Sequence, residues 1–442
     1  MGGLSREWRF SQRLFRKMKR RISSMMLHHT ALVALAITAS GASGSPPLRA
    51  GACHAAMDCS LNGGCVGGRC VCDAAWSGHP NCDVLAFDEG RQARDLGYRN
   101  ASGYSSWGGN AILAGEDGLH HLFVAQFARK CELGDYGTNS LIVRATSATG
   151  PAGPFAWAQD VILPFAHNPT VRALPGGAGY VLYMIGGTPS DPSSIKNCSN
   201  ATAAGAGGVG VGSGGGGGGA AAVEEDPPII SSSIRASFAP SIAGPWSAPA
   251  AVAFTNHSAM LWGGATNPSP HVHPDGSVTL AFQMQPQDAR KHWELVGVAT
   301  AASWRGPFSL ASPDPVTPGG PLCVAGRDED PFLWQSPRGY HIITHGMCPD
   351  AVHQAHYKFS LDGVSWRTSP RQTYDYTVRF ADGGSNSLLR VERPQLHFAT
   401  HDAATGTFSN ATTLYNAVCE GLKCIVGGQT GYTHTWARVL KA

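Results

Sequence analysis

Polar residues recur immediately before proline along this chain, and two of the sites carry carboxylates that could do acid–base chemistry. The motifs are Asn168-Pro169, Asn267-Pro268, Asp330-Pro331 and Glu392-Arg393-Pro394. Two carboxylates held in different protonation states can act as a general acid and a general base. Asn-Pro and Asp-Pro also favour tight turns, so the same residues could instead shape the backbone.

Each motif opens a unit with the pattern of short β-strands. The residue before proline, or its equivalent, stands at positions 110, 168, 267, 330 and 393, and two or three apolar strands separated by turns follow. The interval from 168 to 267 is long because it contains a Gly- and Ala-rich insertion, roughly residues 190–228, which cannot pack. Five four-stranded units of similar length predict an all-β fold, a five-bladed β-propeller over about residues 97–442. A β-sandwich is the alternative, but it does not explain the repeated opening motif.

Composition agrees with a fold rich in turns and short strands. The 442 residues include 56 Gly and 29 Pro, and only 14% are charged, which argues against a coiled coil, a helical bundle or a charged disordered tail. The first 21 residues hold eight basic residues and one acid; the remaining 25 basic and 29 acidic residues give the body a net charge of −4. A mildly acidic body argues against a nucleic-acid-binding protein.

The N-terminus has the layout of a targeting signal over residues 1–45. A basic stretch precedes an apolar run of about 15 residues, Met25 to Ala39, and small residues follow. The run is shorter than the roughly 20 residues of a membrane-spanning helix, so we expect a cleaved secretory signal. The long basic extension also suits an uncleaved single-pass anchor, and only in that case would the protein contact a membrane.

Two further features indicate a secreted or lumenal protein. Asn-X-Ser/Thr sequons for N-glycosylation occur at Asn100, Asn197, Asn200, Asn256 and Asn410. The twelve cysteines all lie beyond the signal segment, which suits disulfide formation in an oxidising compartment.

Six cysteines fall within thirty residues: Cys53, Cys59, Cys65, Cys70, Cys72 and Cys82. So short a stretch cannot bury a core and needs crosslinks, although spacing alone allows 15 connectivities. Residues 49–83 resemble an EGF-like domain in Cys70-Val71-Cys72 and in the Trp76 and Gly78 that precede Cys82. The resemblance implies the pairs Cys53–Cys65, Cys59–Cys70 and Cys72–Cys82. We predict a knot that is independent of the propeller, binds no calcium, and acts as a spacer or as a contact surface for an extracellular protein.

The other six cysteines allow a local assignment. Cys419 and Cys424 are close in sequence, Cys323 and Cys348 bracket the first two strands of the fourth unit, and Cys131–Cys198 would join neighbouring units.

A five-bladed propeller with Asp-Pro and Glu-X-Pro at blade starts resembles the arabinanase, levansucrase and invertase clan of glycoside hydrolases. The resemblance implies a central funnel in which three carboxylates converge. They are an Asp base or nucleophile, an Asp two blades later that orients the substrate, and a Glu general acid one blade further on. Asp330 matches the orienting Asp, and Glu392 matches the acid. We expect a glycan or polysaccharide ligand, no cofactor and no metal.

The chain departs from that pattern at the base. Two blades before Asp330 stands Asn168, and an amide cannot accept a proton as a general base. His167 titrates near neutrality and could replace the base. Asn168, Asn267 and His167 are therefore predicted to bind substrate, as is Trp107, whose face could stack on a sugar or pack in the core. His120-His121 and His271-Val272-His273 are interpreted as surface or funnel histidines rather than metal ligands.

Three functions follow from these patterns. The first is a secreted, carbohydrate-binding and catalytically weakened propeller attached to an EGF-like module. The second is an active glycoside hydrolase that uses Asp330 and Glu392 with a non-standard base. The third is an adhesion or structural protein in which the EGF-like module binds the partner.

Overall fold

The computed structural model of the protein describes eleven segments: residues 53–99, 103–113, 117–186, 192–198, 234–255, 264–284, 295–316, 328–346, 355–388, 390–419 and 432–442. Several predictions lie outside the described residues. They concern the signal segment, most of the insertion, the sequons at Asn100, Asn200 and Asn256, and the cysteines Cys323, Cys348 and Cys424.

The strands of the propeller form five antiparallel sheets in chain order. Blades one and two contain β5 (Ser106–Leu113), β6 (His120–Phe127), β7 (Ser140–Ser147), β8 (Ala156–Ile162), β9 (Ala166–Ala173), β10 (Tyr180–Gly186), β11 (Ile234–Ala239) and β12 (Ala250–Ala251). Blades three and four contain β13 (Ala265–Val272), β14 (Val278–Met284), β15 (Leu295–Ala301), β16 (Ser309–Leu310), β17 (Asp328–Ser336), β18 (Gly339–Gly346), β19 (Ala355–Ser360) and β20 (Arg367–Thr368). Blade five contains β23 (Arg390–Asp402), β24 (Thr407–Cys419) and β25 (Thr433–Val439), and follows a hairpin of β21 (Thr377–Arg379) and β22 (Ser385–Ser387).

Helices are few and short in the described residues. One α-helical turn, α1 (Tyr136–Asn139), lies between β6 and β7. Single 3-10 turns occur at Ala56–Cys59, Glu89–Arg91, Ala128–Lys130, Leu133–Asp135, Pro175–Gly177 and Pro192–Ser194. No helix in this part of the chain is long and apolar enough to span a bilayer.

The inner strands close into a ring, which confirms the predicted five-bladed propeller. Strand β5 contacts β9, β9 contacts β13, β13 contacts β17, β17 contacts β23, and β23 returns to β5. The second strand of each blade is buried on both faces between its neighbours, so it reads as a continuous apolar run rather than an alternating one. A hydrophobic cluster fills each of the five interfaces between blades.

Polar residues on the inner strands tie one blade to the next. Asn110 holds both backbone groups of Val171 in blade two, with N–O distances of 2.9 and 3.1 Å. Thr170 donates to the Pro268 carbonyl at 3.0 Å, and Ser269 accepts from the Leu333 amide at 2.8 Å. Because these groups are buried, the bonds satisfy side chains and backbone that would otherwise be costly.

The chain just before blade one completes blade five. Tyr98 donates its amide to the Thr435 carbonyl at 2.8 Å, and Asp88 donates to the Val439 carbonyl at 3.1 Å, both on β25. This pairing joins the two ends of the propeller, so blade five gains at its outer edge a segment from the opposite end of the domain.

The disulfide-rich module forms the predicted crosslinks. The pairs are Cys53–Cys65, Cys59–Cys70 and Cys72–Cys82. Its strands make two small hairpins, β1 (Gly63–Val66) with β2 (Arg69–Cys72) and β3 (Trp76–Ser77) with β4 (Val84–Leu85).

The prediction that this module is independent of the propeller is wrong. Trp76 stacks on Trp334 and lies 5.1 Å from the Tyr357 ring centre, and Leu61 joins the same core cluster. Arg338 of blade four makes two bonds of 2.7 and 2.8 Å to the Asp73 carboxylate. The crosslinks fix the module internally, but its apolar side chains are buried by blade four because the module is too small to bury them itself.

The remaining described cysteines are also oxidised. Cys131 pairs with Cys198, as predicted, which ties the segment after β10 to the loop after β6. Cys419 is disulfide-bonded, and its expected partner lies outside the described residues. Of the predicted glycosylation sites that the structure describes, Asn197 and Asn410 are both exposed.

Candidate functional site

A bulge at the same point of every inner strand positions the candidate site. The register with the second strand shifts there, and one residue of each bulge has a positive φ, between 50° and 65°. These five axial residues are Gly108, Asn168, Asn267, Asp330 and Arg393. Asn and Asp tolerate this left-handed region better than most residues, so the turn-forming interpretation of the Asn-Pro and Asp-Pro motifs is part of their role.

The alignment of the motifs needs one correction, in blade one, and agrees with the predicted spacing in blade five. In blade one the axial residue is Gly108, not Asn110, because Trp107 pairs with Ala125 just before the shift. In blade five it is Arg393, and Glu392 stands one residue earlier. Glu392 therefore does not occupy the place of Asn168, Asn267 and Asp330. The Pro that marks the bulge in four blades is absent from blade one, so the motif spacing misplaces the blade-one bulge by two residues.

The axial side chains form a chain of hydrogen bonds across four blades. Asn168 Nδ2 donates to Asn267 Oδ1 at 2.6 Å, and Asn267 Nδ2 donates to Asp330 Oδ1 at 2.8 Å. Arg393 Nη1 donates to the same Asp330 oxygen at 2.8 Å. All four side chains are buried. We call Asn168, Asn267, Asp330 and Arg393 the axial chain.

Gly108 is required where the axial chain meets blade one. A Cβ at this position would lie 3.1 Å from the Arg393 Cβ, and the backbone has a φ of 65°. The Arg393 side chain thus occupies the space of the missing fifth side chain. Its Nε and Nη2 atoms and Asn168 Oδ1 are buried without a hydrogen-bond partner among the described residues. Buried polar atoms without a partner are rare in folded proteins, and a bound water is the usual explanation for them.

Glu392 lies beside the axial chain and is held by an arginine of its own strand. Arg390 Nε donates to Glu392 Oε1 at 2.7 Å, and the Arg390 guanidinium lies 5.8 Å from the centre of the Trp107 ring. Burial, together with the charge of Glu392, raises the pKa of the nearby Tyr376 hydroxyl. Trp107 is 4% exposed, so of its two predicted roles, sugar stacking and core packing, its burial agrees with core packing.

His167 lies close to the axial chain but is a weak proton acceptor. Its Nδ1 bonds the Ser140 hydroxyl at 2.7 Å. Burial, with a smaller contribution from the Arg393 charge, lowers the pKa of His167 to about 3. The imidazole is therefore neutral near pH 7, and a proton acceptor with so low a pKa is poorly suited to replace a catalytic base.

A second carboxylate adjoins Asp330 in blade four. Ligand atoms of Glu329, Asp330 and His345 lie within 4.8 Å of one another, and the buried His345 Nδ1 has no described partner. Two carboxylates and an imidazole could hold a divalent cation, although the Arg393 charge on Asp330 opposes one there. Gln283 bonds both the axial chain and this cluster, since it accepts from Asn267 and donates to Glu329 Oε1 at 3.0 Å.

A buried polar cluster fixes the start of the strand that carries these acids. Asp328 accepts from Thr344 at 2.9 Å and pairs with His356 at 2.6 Å and Lys358 at 3.0 Å. Burial lowers the pKa of Lys358 against the opposing effect of the Asp328 charge. Because Asp328 is bonded on several sides, β17 has little freedom to move Glu329 and Asp330.

The sequence patterns predicted Asn168, Asn267, Asp330 and Glu392 as site residues but did not predict the residues that contact them. The missed residues are Gly108, Gln283, Glu329, His345, Arg390 and Arg393. One signal was available for Glu329, which precedes Asp330 as Glu392 precedes Arg393. No local pattern marks Gln283 or His345, since both lie on second strands and reach the site across a blade.

Neither a protein-family model nor a curated protein matches this chain. Solved structures with a similar fold include a family 117 glycoside hydrolase from Zobellia galactanivorans, with a TM-score of 0.47, 15% identity, and coverage of 81% of this chain and 89% of that one. A putative exo-beta-1,3-galactanase from Bifidobacterium bifidum has a TM-score of 0.43, 11% identity, and coverage of 78% and 96%. The catalytic domain of a GH62 alpha-L-arabinofuranosidase from Coprinopsis cinerea has a TM-score of 0.46, 10% identity, and coverage of 76% and 90%. All three TM-scores are below 0.5, and the five-bladed propeller of this chain is established by its own sheets and their closure into a ring.

Proposed function

We propose that this protein is a secretory-pathway glycoprotein whose propeller binds a carbohydrate at the axial chain and is weakened as a catalyst. One observation carries the proposal. The place that the clan resemblance gives to the catalytic base holds Asn168, and its amide is already donating to Asn267. An amide neither accepts nor releases a proton near neutral pH, so the general-base step has no group at that position.

The same geometry favours recognition of hydroxyl groups. The axial chain contains both hydrogen-bond donors and hydrogen-bond acceptors. Asn168 Oδ1 and Arg393 Nη2 are buried without a partner among the described residues. Sugar hydroxyls are both donors and acceptors and can satisfy such atoms. Glu392 and Asp330 are each held by an arginine, which suits a fixed hydrogen-bonding role.

The secretory part of the proposal is supported by covalent chemistry. Four disulfides form among the described cysteines, and disulfides persist in oxidising compartments. The exposed Asn197 and Asn410 lie in sequons, and the N-terminal residues have the layout of a secretory signal.

An active hydrolase is the second candidate, and Glu329 is the observation in its favour. This residue adds a carboxylate near Asp330, so a pair of acids exists in blade four besides Glu392. In this alternative Glu392 donates a proton to the leaving group, and a blade-four carboxylate takes the place of the missing base.

A glycan array probed with the secreted full-length protein tests binding, and a product assay on the best ligand then tests turnover. We expect binding without product, and a loss of binding in Asn267→Ala. Arg94→Gln, at an exposed ion pair remote from the axis, is the matched control and keeps binding. Product that disappears in Glu392→Gln establishes the active hydrolase instead. Failure to bind any glycan rejects both candidates.

A further inference from the structure

A cavity of about 620 Å³ lies at the end of the axis where the inner strands finish. Its walls include Phe332 and Trp334, which follow Asp330 along β17, and the turns after β9, β13 and β23. Glu392 lies near the start of its strand, so the cavity and Glu392 are on opposite sides of the axial chain. The cavity is therefore distinct from the carbohydrate site proposed above and does not depend on it.

A long hairpin of blade five builds one wall of this cavity. Strands β23 and β24 have 13 residues each, whereas the inner strands of the other blades have 8 or 9. The extended part crosses the axis. Phe398 lies 6.4 Å from the Phe332 ring centre in blade four, and Phe408 lies 5.8 Å from the His271 ring in blade three.

The walls are aromatic and aliphatic with a few cationic or imidazole groups. The apolar part includes Phe332, Trp334, Leu396, Phe398 and Phe408. The polar part comprises Asn110, Arg172, His273, His397 and His401, and none of the described lining residues is an Asp or Glu. A cavity of this size with mostly apolar walls and a few placed polar groups has the character of a small-molecule site.

Arg172 supplies the positive charge. Its guanidinium lies 5.5 Å from the Phe332 ring centre, and its Nε and Nη1 donate to the carbonyls of Pro270 and Val171 at 2.8 and 2.9 Å. These bonds fix the guanidinium and leave Nη2 for a ligand. Asp275 and Asp402 near the rim are exposed and bond groups of their own turns, Ser277 and Ala404, so they do not neutralise the cavity.

His273 and His397 each use one ring nitrogen in a hydrogen bond within the protein and leave the other for a ligand. His273 Nε2 bonds Thr279 at 2.8 Å, and His397 Nδ1 bonds Thr412 at 2.8 Å. Burial lowers the pKa of His397 to about 4 and lowers that of His273. Burial also lowers the pKa of His401, the third histidine of the cavity wall. All three imidazoles are therefore neutral near pH 7, and the cavity offers a single full charge.

A neutral sugar fits these walls poorly. Both polar atoms of the Asn110 amide are used on Val171, and most of the remaining surface cannot bond hydroxyl groups. A polyhydroxylated ligand would bury several of its hydroxyl groups without hydrogen-bond partners, which costs free energy. A ring with a single carboxylate matches the surface, since the ring meets the aromatic walls and the carboxylate meets a guanidinium.

We propose that this cavity binds a small aromatic monocarboxylate, with its ring against the aromatic wall that includes Phe332, Phe398 and Phe408 and its carboxylate against Arg172. Three naphthyl probes of similar size and different charge test it by isothermal titration calorimetry of the full-length protein at pH 7.5. They are naphthalene-2-carboxylate, 2-naphthylmethanol and 2-naphthylmethylammonium.

We expect one naphthalene-2-carboxylate to bind per chain. The alcohol should bind more weakly by roughly tenfold or more, and the ammonium should bind most weakly, because a hydrogen bond between charged groups is stronger than one to a neutral group. Equal affinity for the three probes, or no binding of the carboxylate at about 1 mM, overturns the proposal.

Substitutions locate the binding. Arg172→Gln should lose about tenfold or more in carboxylate affinity and remove the preference over the alcohol, whereas Arg172→Lys should keep that preference.

Because Arg172 also bonds the backbone, Ala403→Trp gives a second test that leaves the Arg172 side chain unchanged. Ala403 is exposed at the rim, and the added ring should block all three probes. Arg69→Gln, at an exposed position of the disulfide-rich module, is the control and should bind like the natural protein. Unchanged affinity in Ala403→Trp shows that the probes bind elsewhere.

Discussion

Arg393 Nη1 lies 2.8 Å from Asp330 Oδ1 on the propeller axis, and the two side chains are 1% and 5% exposed. The pair joins blade five to blade four at the bulge of each inner strand. Asp330, the carboxylate best placed by its motif for chemistry, is therefore also a structural group that neutralises a buried guanidinium. Any function at this end of the axis therefore involves an Asp330 carboxylate that is paired with Arg393.

Removing one partner of the pair should destabilise the propeller. Arg393→Met leaves the Asp330 carboxylate buried without its cation, and we expect a loss of about 3–5 kcal/mol in the free energy of unfolding. Asp330→Asn together with Arg393→Met should recover a large part of the loss, because no buried charge remains. Chemical denaturation of the single and double variants measures both. Arg94→Gln, at an exposed pair, should stay within about 0.5 kcal/mol of the natural protein. Additive losses in the double variant would refute the coupling.

A carboxylate at position 168 should supply the missing base. Asn168→Asp places it at the bulge two blades before Asp330, and a positioned general base contributes roughly 10²–10⁴-fold to a rate. We therefore expect hydrolysis of the glycan that binds best to appear or to rise, measured as released sugar. Asn267→Asp places the same group one blade away and is the matched control, with no gain expected. Equal rates in both variants would show that the position is not specific.

The contact between the disulfide-rich module and blade four should contribute strongly to stability. Trp76 is 8% exposed and packs on Trp334 and Tyr357, so Trp76→Ala should cost about 3–5 kcal/mol. Trp157 is 52% exposed, and Trp157→Ala should change stability by no more than about 0.5 kcal/mol. Denaturant unfolding, followed by fluorescence and by circular dichroism, checks both. A separate early transition of the module in the natural protein would contradict their joint core.

Acidification should destabilise the protein through buried neutral histidines. Burial lowers the pKa of His341 to about 3, and the ring stacks on Trp334 and bonds the Tyr357 hydroxyl at 2.7 Å. The unfolded chain binds a proton near pH 6.5, whereas the folded protein does not, so stability is complete above that pH and falls as the pH drops towards 3. Each such histidine contributes a slope of up to about 1.4 kcal/mol per pH unit below pH 6.5.

His341→Gln isolates one of these contributions. Unfolding free energies at pH 7 and pH 5 should differ less in this variant than in the natural protein, since one proton fewer is taken up on unfolding. His54→Gln, at an exposed position of the disulfide-rich module, is the control and should leave the difference unchanged. A pH dependence equal to that of the natural protein in His341→Gln would contradict the assignment.

Local patterns determined much of this protein. The repeated motifs with their apolar strands predicted five blades and the places of Asn168, Asn267 and Asp330. The cysteine spacing, through its resemblance to an EGF-like domain, predicted three disulfides that form. These features can be predicted from the sequence because strand alternation, turn residues and short crosslinked loops depend on neighbouring residues in the chain.

The tertiary structure decided what those residues contact. Asp330 meets Arg393 and Asn267, each 63 residues away in sequence, and Trp76 meets Tyr357 across the boundary of the module. The hairpin of β23 and β24 forms a cavity wall only because ring closure brings blade five over blades three and four. Such contacts depend on how whole blades pack, and no local stretch of sequence specifies that packing by itself.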